Sequence, residues 1–207
     1  MMPAAERNLM VVLLQERIDL ALAERLFFSL AKGLEHLHDN RRIHGDFKPG
    51  NVVRMVNGEW MLIDLDGAVS FGAPVGAKAL STAFVGPETT FEGDDQEIGF
   101  RVPQEDNNTE AFRRRSSISE ALAPLELLEA HPTFDLWSFA VVLYRVIAHK
   151  PLIEADDRDN LRSKREHVIL ATWGPRALSD ALADAKAALA ADGVEAMRRL
   201  VVIDLLM

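Results

Sequence analysis

The most informative stretch of the sequence is His44-Gly45-Asp46-Phe47-Lys48-Pro49-Gly50-Asn51, which is followed by Ile63-Asp64-Leu65-Asp66-Gly67. Asn51 and Asp64 offer amide and carboxylate oxygens, which are the ligands that Mg²⁺ prefers. Asp46 offers a carboxylate suited to orienting a hydroxyl group, and Lys48 offers an ammonium suited to contacting a phosphate. These residue types at this spacing predict a phosphoryl-transfer site.

A β-hairpin is predicted to bring the two stretches together. Residues 51–55 and 59–63 are rich in β-forming side chains, and Asn57-Gly58 between them is the strongest short hairpin signal. A tight loop keeps Asp46 near Asn51, and the returning strand places Asp64 opposite Asn51. The short hairpin therefore carries the catalytic and metal-binding loops.

Outside the hairpin, the sequence predicts a mainly α fold. Apolar residues recur at helical spacing over residues 20–38, with Asn40 as a stop signal. Residues 134–147 are apolar nearly all round, which is typical of a buried helix. Further helices are predicted at 118–128, 159–173, 177–191 and 193–206. The apolar run at 9–14 is interpreted as a strand because of its paired valines, and the Gly- and Pro-rich residues 65–88 as a loop.

Composition restricts the classes of function. The chain has 207 residues and a net charge of −9, which disfavours a general nucleic-acid or anionic-membrane binder. It has no cysteine, so disulfides, thiolate metal sites and a cysteine nucleophile are excluded. No apolar run approaches the length of a membrane span, and the N-terminus lacks a secretory signal layout. A cytoplasmic or nuclear location is expected.

Four segments, in matching order and spacing, resemble the eukaryotic-type protein kinases. Residues 44–51 resemble the catalytic loop H-R-D-L-K-P-x-N, and Asp64-Leu65-Asp66 resembles the metal-binding D-F-G. Gly86-Pro87-Glu88 resembles the A-P-E that closes the activation segment. Residues 134–144 resemble the central helix of the kinase large lobe. The resemblance extends from residue 7 to residue 207, except for most of 89–132.

This resemblance implies a role for each matching residue, with ATP and Mg²⁺ as cofactors and a protein Ser/Thr hydroxyl as acceptor. Asp46 would orient or deprotonate the acceptor, and Lys48 would contact the γ-phosphate. Asn51 and Asp64 would hold Mg²⁺, and Val53 would lie under the adenine ring. The internal scaffold would include His44, Leu65, Glu88 and Asp135, and Ser81 or Thr82 would lie near the acceptor.

Departures from the kinase pattern concern regulation and nucleotide binding. Gly45 replaces the usual arginine, so switching by activation-loop phosphorylation is not expected. No glycine precedes Gly33, and the only lysine before Lys48 is Lys32, so the Gly-rich loop and strand lysine of the small lobe have no counterparts. The chain is therefore expected to be a large lobe truncated at both ends, inactive without its small lobe. The long step from Glu88 to Asp135 predicts a partly disordered insertion at 89–132.

Two functional questions stay open at the level of sequence. The run Arg113-Arg114-Arg115-Ser116-Ser117 is either a solvated basic turn or a regulatory phosphosite at Ser117. The chain as a whole is a Ser/Thr kinase lobe, a pseudokinase or scaffold module, or a small-molecule phosphotransferase. The last alternative arises because His44-Gly45-Asp46 with Pro49-Gly50-Asn51 also resembles the aminoglycoside and choline kinase-like enzymes.

Overall fold

Helices with small antiparallel sheets make up the computed structural model, which describes residues 5–75, 81–92, 98–100 and 128–191. The helices are α1 Leu9–Gln15, α2 Leu20–Asp39, α3 Pro132–Ala148, α4 Lys164–Ala171 and α5 Pro175–Ala191. The strands are β1 Ala5–Asn8, β2 Arg42–Ile43, β3 Val52–Met55, β4 Trp60–Leu62, β5 Val69–Ser70, β6 Thr90–Glu92 and β7 Ile98–Phe100. The predicted mainly helical fold is confirmed. No helix within these ranges is long and apolar enough to cross a membrane.

The long helix α2 forms where the apolar stripe predicts it. Its N-cap Asp19 accepts a hydrogen bond from the Leu22 backbone N–H at 2.8 Å, and its C-cap is Asn40, as predicted. The stripe is buried at Ala23, Leu26, Leu30 and Leu34. These side chains contribute to the main core, which also contains the central helix α3.

The predicted hairpin is also confirmed. Strands β3 and β4 pair antiparallel, with Val52 opposite Leu62 and Arg54 opposite Trp60. Gly58 has a φ of +84°, and its N–H donates to the Met55 carbonyl at 2.8 Å, so the turn uses the conformational freedom of glycine. Strand β1 pairs with the other edge of β3, which gives a three-stranded sheet in the order β1-β3-β4.

The strand interpretation of residues 9–14 is wrong, because they lie in helix α1. Asn8 caps this helix by accepting the Val11 backbone N–H at 2.9 Å. Leu9 and Val12, three residues apart, are both fully buried on one helical face. The strand position beside β3 is occupied instead by residues Ala5–Asn8.

Helix α3 lies at the centre of the core, as its apolar sequence predicts. Pro132 occupies the first turn, where its missing N–H has no cost. Phe139 makes edge-on ring contacts with Phe27 of α2 at 5.7 Å and with Phe47 of the 44–51 loop at 5.8 Å. Through Phe47, the loop that carries the candidate site is thus packed on α3, which itself packs against α2.

Several other boundaries differ from the sequence-based expectations. The helix predicted at 159–173 begins only at Lys164, because Ser163 caps it and residues 155–161 form a tight loop. The helix predicted at 177–191 begins two residues earlier, at Pro175. Within 65–88, β5 pairs with β2, and within the expected insertion β6 pairs with β7. The predictions at 118–127, at 193–206 and for Ser117 lie outside the described residues.

Candidate active site

Asp46 and Asn51 are in direct contact within the 44–51 loop. The Asn51 amide nitrogen donates to the Asp46 carbonyl at 2.8 Å and to its carboxylate Oδ2 at 3.1 Å. Both side chains are buried. The loop closes in a 3₁₀ turn, Pro49–Asn51, in which the Asn51 backbone N–H donates to the Lys48 carbonyl at 3.0 Å. The tight loop that the sequence predicts therefore brings this carboxylate and this amide together.

The hairpin returns Asp64 to the same loop. The Ile63 backbone N–H donates a hydrogen bond to the Asn51 carbonyl at 2.9 Å. Asp64 is the next residue along the chain, so its backbone lies close to Asn51. Asp64 has a left-handed backbone with a φ of 64° and an exposed side chain. Left-handed geometry is uncommon for a residue with a side chain and is best tolerated by Asp and Asn.

His44 connects Asp46 to the strand before Asp64. Its ring is fully buried, and Nδ1 accepts the Asp46 backbone N–H at 3.3 Å. Nδ1 therefore carries no proton, and Nε2 donates to the Ile63 carbonyl at 3.1 Å. One imidazole thus fixes both the position of Asp46 and the end of the hairpin.

Asp135 anchors the loop to the central helix. Its carboxylate is completely buried and accepts the backbone N–H groups of His44 at 2.8 Å and Gly45 at 3.0 Å. The His38 Nε2 lies 2.8 Å from the same carboxylate. Charge-assisted hydrogen bonds of this kind are stronger than neutral ones. Asp135 therefore holds the candidate site on helix α3.

Gly45 is required by the backbone of the loop. It has a φ of +79°, and a Cβ placed there would lie 2.2 Å from the Gly67 carbonyl oxygen. The sequence showed only that glycine replaces the arginine of the kinase pattern. The structure adds that no larger residue fits between the 44–51 loop and Gly67 unless the backbone shifts.

Gly45→Ala is expected to lower the free energy of unfolding by at least about 2 kcal/mol, because it combines left-handed strain with a backbone clash. Gly58→Ala is the matched control: Gly58 has a φ of +84° but nothing lies within 4 Å of the added Cβ. Urea unfolding of both variants, followed by circular dichroism, measures the difference. Equal losses would show that the contact with Gly67 is unimportant.

Lys48 lies among three oxygen atoms. Its ammonium donates to the Ser81 hydroxyl at 2.7 Å and lies 3.3 Å from Asp46 Oδ2 and 3.8 Å from Asp159 Oδ2. Of the two hydroxyl residues expected near the acceptor, Ser81 is therefore the one that contacts Lys48. Thr82 instead accepts the Leu161 backbone N–H at 2.8 Å.

Asp159 is the site residue that sequence reasoning missed. It is the first residue of the helix predicted at 159–173. No motif marks Asp159, and its proximity to Lys48 depends on two loops far apart in the sequence. Burial raises the pKa of Asp159 above its ordinary value, although the Lys48 ammonium acts in the opposite direction.

The other predicted residues occupy different environments. Val53 is buried in β3, whereas Leu65, expected to belong to the internal scaffold, is about half exposed at 52%. Glu88 is exposed in the 3₁₀ turn Pro87–Thr89. Leu65 and Glu88 are therefore not core residues of the described part of the chain.

The donor set fits a hard cation that shares its coordination with a phosphate. The Asn51 amide nitrogen donates to Asp46, so the amide oxygen is the atom of this side chain that could bind a cation, and Asp64 adds a carboxylate. Within the described residues, no group of three or more His, Cys, Asp or Glu side chains is arranged to hold a metal ion. Mg²⁺ often uses one or two protein carboxylates, with phosphate and water as its other ligands.

Comparison with curated proteins finds similarity to a protein kinase. The chain is 29% identical over 156 residues to 3-phosphoinositide-dependent protein kinase 1 of Caenorhabditis elegans. The chain is protein-kinase-like. This match covers 68% of the kinase-like chain but only 23% of the relative. No protein-family model matches the sequence.

Among solved structures, the kinase-like chain is similar to a chain in the crystal structure of the yeast RNA Pol II CTD kinase CTDK-1 complex. The two share 17% sequence identity with a TM-score of 0.49. The match covers 75% of this chain and 41% of the other.

Proposed function

We propose that this chain supplies the catalytic and metal-binding lobe of a protein serine/threonine kinase. The observation that carries the proposal is the arrangement around Asp46, whose carboxylate contacts both the Asn51 amide and the Lys48 ammonium. Lys48 in turn contacts Ser81, which lies seven residues before Glu88. A carboxylate, an amide and an ammonium held this closely have the chemistry that phosphoryl transfer requires.

In the proposed reaction, Asp46 orients the acceptor hydroxyl and accepts its proton as the oxygen bonds to the γ-phosphorus and ADP leaves. Lys48 places positive charge beside the transferred group. Asn51 and Asp64 would hold Mg²⁺, which, when bound, neutralises phosphate charge. Val53 would form part of the surface beneath the adenine ring.

The proposal includes a second lobe from outside these 207 residues. The sequence before the catalytic loop contains neither a Gly-rich loop nor a strand lysine, so the described lobe would contact ATP mainly through the 44–51 loop, β3 and Asp64. Positioning of ATP contributes strongly to catalysis. We therefore expect transfer from the full-length protein and none from the 207-residue chain alone.

The test is transfer of labelled phosphate from Mg-ATP by the full-length protein. Peptides containing Ser or Thr are expected to become labelled, whereas aminoglycosides and choline are not, and chelation of Mg²⁺ by EDTA is expected to abolish labelling. Labelling of only the small molecules would favour a small-molecule phosphotransferase. No transfer to any acceptor would favour a pseudokinase or scaffold.

A further inference from the structure

The loop at residues 155–161 is not part of the four kinase-like segments, yet it reaches the Lys48 ammonium. Asp159 Oδ2 lies 3.8 Å from Lys48 Nζ, and both side chains are about one-fifth exposed, at 20% and 21%. An ion pair sheltered to this degree is less screened than one on the open surface. Asp159 is therefore in a position to influence where Lys48 lies.

The 155–161 loop has a rigid local structure. Asp156 Oδ1 accepts the backbone N–H groups of Arg158 and Asn160, each at 2.9 Å. Ala155 and Leu161 form an antiparallel bridge at the base of the loop. Asp159, near the tip, has a φ of 63°, a conformation that Asp and Asn tolerate better than most residues.

Hydrogen bonds fasten this loop to the segment that follows Ser81. The Ala83 backbone N–H donates to the Asp159 carbonyl at 3.1 Å. Thr82 donates its backbone N–H to Asn160 Oδ1 at 3.3 Å and accepts the Leu161 N–H at 2.8 Å. The loop and the Ser81 segment are therefore joined by hydrogen bonds, and each places an oxygen atom near the Lys48 ammonium.

We propose that Asp159 is a positioning residue that holds the Lys48 ammonium beside Ser81 and Asp46, on the acceptor side of the site; its part in transfer rests on the function proposed above. Ser81 and Asp46 contact the ammonium at 2.7 and 3.3 Å, and Asp159 of the 155–161 loop provides a third oxygen partner. The Asp159 carboxylate supplies negative charge there, so the ammonium stays where a transferred phosphate would meet it.

The Asp159 carboxylate is not expected to stabilise the folded chain at neutral pH. Burial raises the pKa of Asp159, while Lys48 and Arg145 act to lower it and Asp46 and Asp156 act with burial. A raised pKa means that the folded chain binds the proton more tightly than the unfolded chain. The contribution of Asp159 to the free energy of unfolding therefore falls as the pH rises from its pKa in the unfolded chain through its pKa in the folded chain. At neutral pH, the ionised Asp159 carboxylate lowers the free energy of unfolding.

The experiment measures how fast each lysine of the 207-residue chain reacts with acetic anhydride, by mass spectrometry. The chain has six lysines, so Lys32 and Lys150 serve as internal references. Asp159→Asn is expected to raise labelling of Lys48 on the order of threefold, because the ammonium loses a partner, without lowering the melting temperature. Asp157→Asn, an exposed neighbour with the same charge change, is expected to leave Lys48 unchanged.

Asn160→Ala is the second variant, because it keeps every charge but removes the acceptor of Thr82. It is expected to raise Lys48 labelling by a smaller factor than Asp159→Asn. Unchanged Lys48 labelling in Asp159→Asn would overturn the proposal, as would equal acceleration at every lysine, which would indicate general loosening of the fold.

In the full-length protein, Asp159→Asn is expected to lower kcat about threefold with the KM for ATP unchanged, since Lys48 acts on the transferred phosphate. A change confined to the KM for ATP would contradict positioning of Lys48. A wild-type protein that transfers nothing would overturn the proposed kinase function, whereas the contact between Asp159 and Lys48 would still be decided by the labelling rates.

Discussion

Asp135→Ala is expected to lower the free energy of unfolding by about 3–5 kcal/mol, a large fraction of the stability of a typical domain. The fully buried carboxylate accepts the backbone N–H groups of His44 and Gly45 and contacts His38. Alanine leaves these donors without an acceptor in a region that water does not reach. Because two of them belong to the 44–51 loop, the candidate site is expected to lose its shape as the fold is destabilised.

Urea unfolding at neutral pH, followed by circular dichroism, measures this effect. Asp135→Asn keeps the size and one acceptor oxygen but turns an amide nitrogen toward a donor, so an intermediate loss is expected. Asp157→Asn, an exposed change of the same chemistry, is expected to stay within about 0.5 kcal/mol of the wild type. A loss below about 1 kcal/mol for Asp135→Ala would show that the loop does not depend on this carboxylate.

The parts of the fold that the sequence predicted are those governed by local rules. Helix α2 follows from a repeated apolar stripe between Asp19 and Asn40, and the hairpin follows from Asn57-Gly58 between two β-rich runs. Helix α3 follows from a run that is apolar on all faces. In each case the residues that determine the element lie within or next to it.

The wrong predictions concern a segment too short for its periodicity to separate a strand from a helix, and a segment whose structure depends on residues far away in the sequence. Residues 9–14 carry valines that favour a strand, but capping by Asn8 and burial of Leu9 and Val12 on one face favour the helix. The sequence predicts a helix from residue 159, but residues 159–161 lie in a loop whose hydrogen bonds reach back to Thr82 and Ala83. Such long-range pairs leave no periodic signal in the sequence.

The contacts of the candidate site also fall into two groups, those that the sequence predicts and those that it does not. The contact of Asp46 with Asn51 was predictable because they lie five positions apart in one tight loop, and the hairpin accounts for the return of the chain to Asn51. Asp159 could not be found, because it reaches Lys48 from a loop more than a hundred positions away. The positive φ of Gly45 could not be predicted from the amino-acid sequence either.

Asp46→Asn is expected to lower kcat of the full-length protein by about 10²–10⁴-fold, the usual contribution of a positioned general base. Asparagine retains an oxygen that can accept the Asn51 amide N–H, so the loop is expected to keep its fold. What it loses is the negative charge that faces Lys48 at 3.3 Å and the capacity to take up a proton. The melting temperature should therefore change little while transfer almost disappears.

The decisive measurement is the rate of phosphate transfer from Mg-ATP to a Ser/Thr peptide by full-length wild-type, Asp46→Asn and Asp157→Asn proteins at equal concentration. We expect a wild-type rate well above background, an equal rate for Asp157→Asn, and a rate at least about a hundredfold lower for Asp46→Asn. Equal rates for the wild type and Asp46→Asn, whether high or at background, would contradict the assignment of Asp46 as the base of a phosphoryl-transfer site.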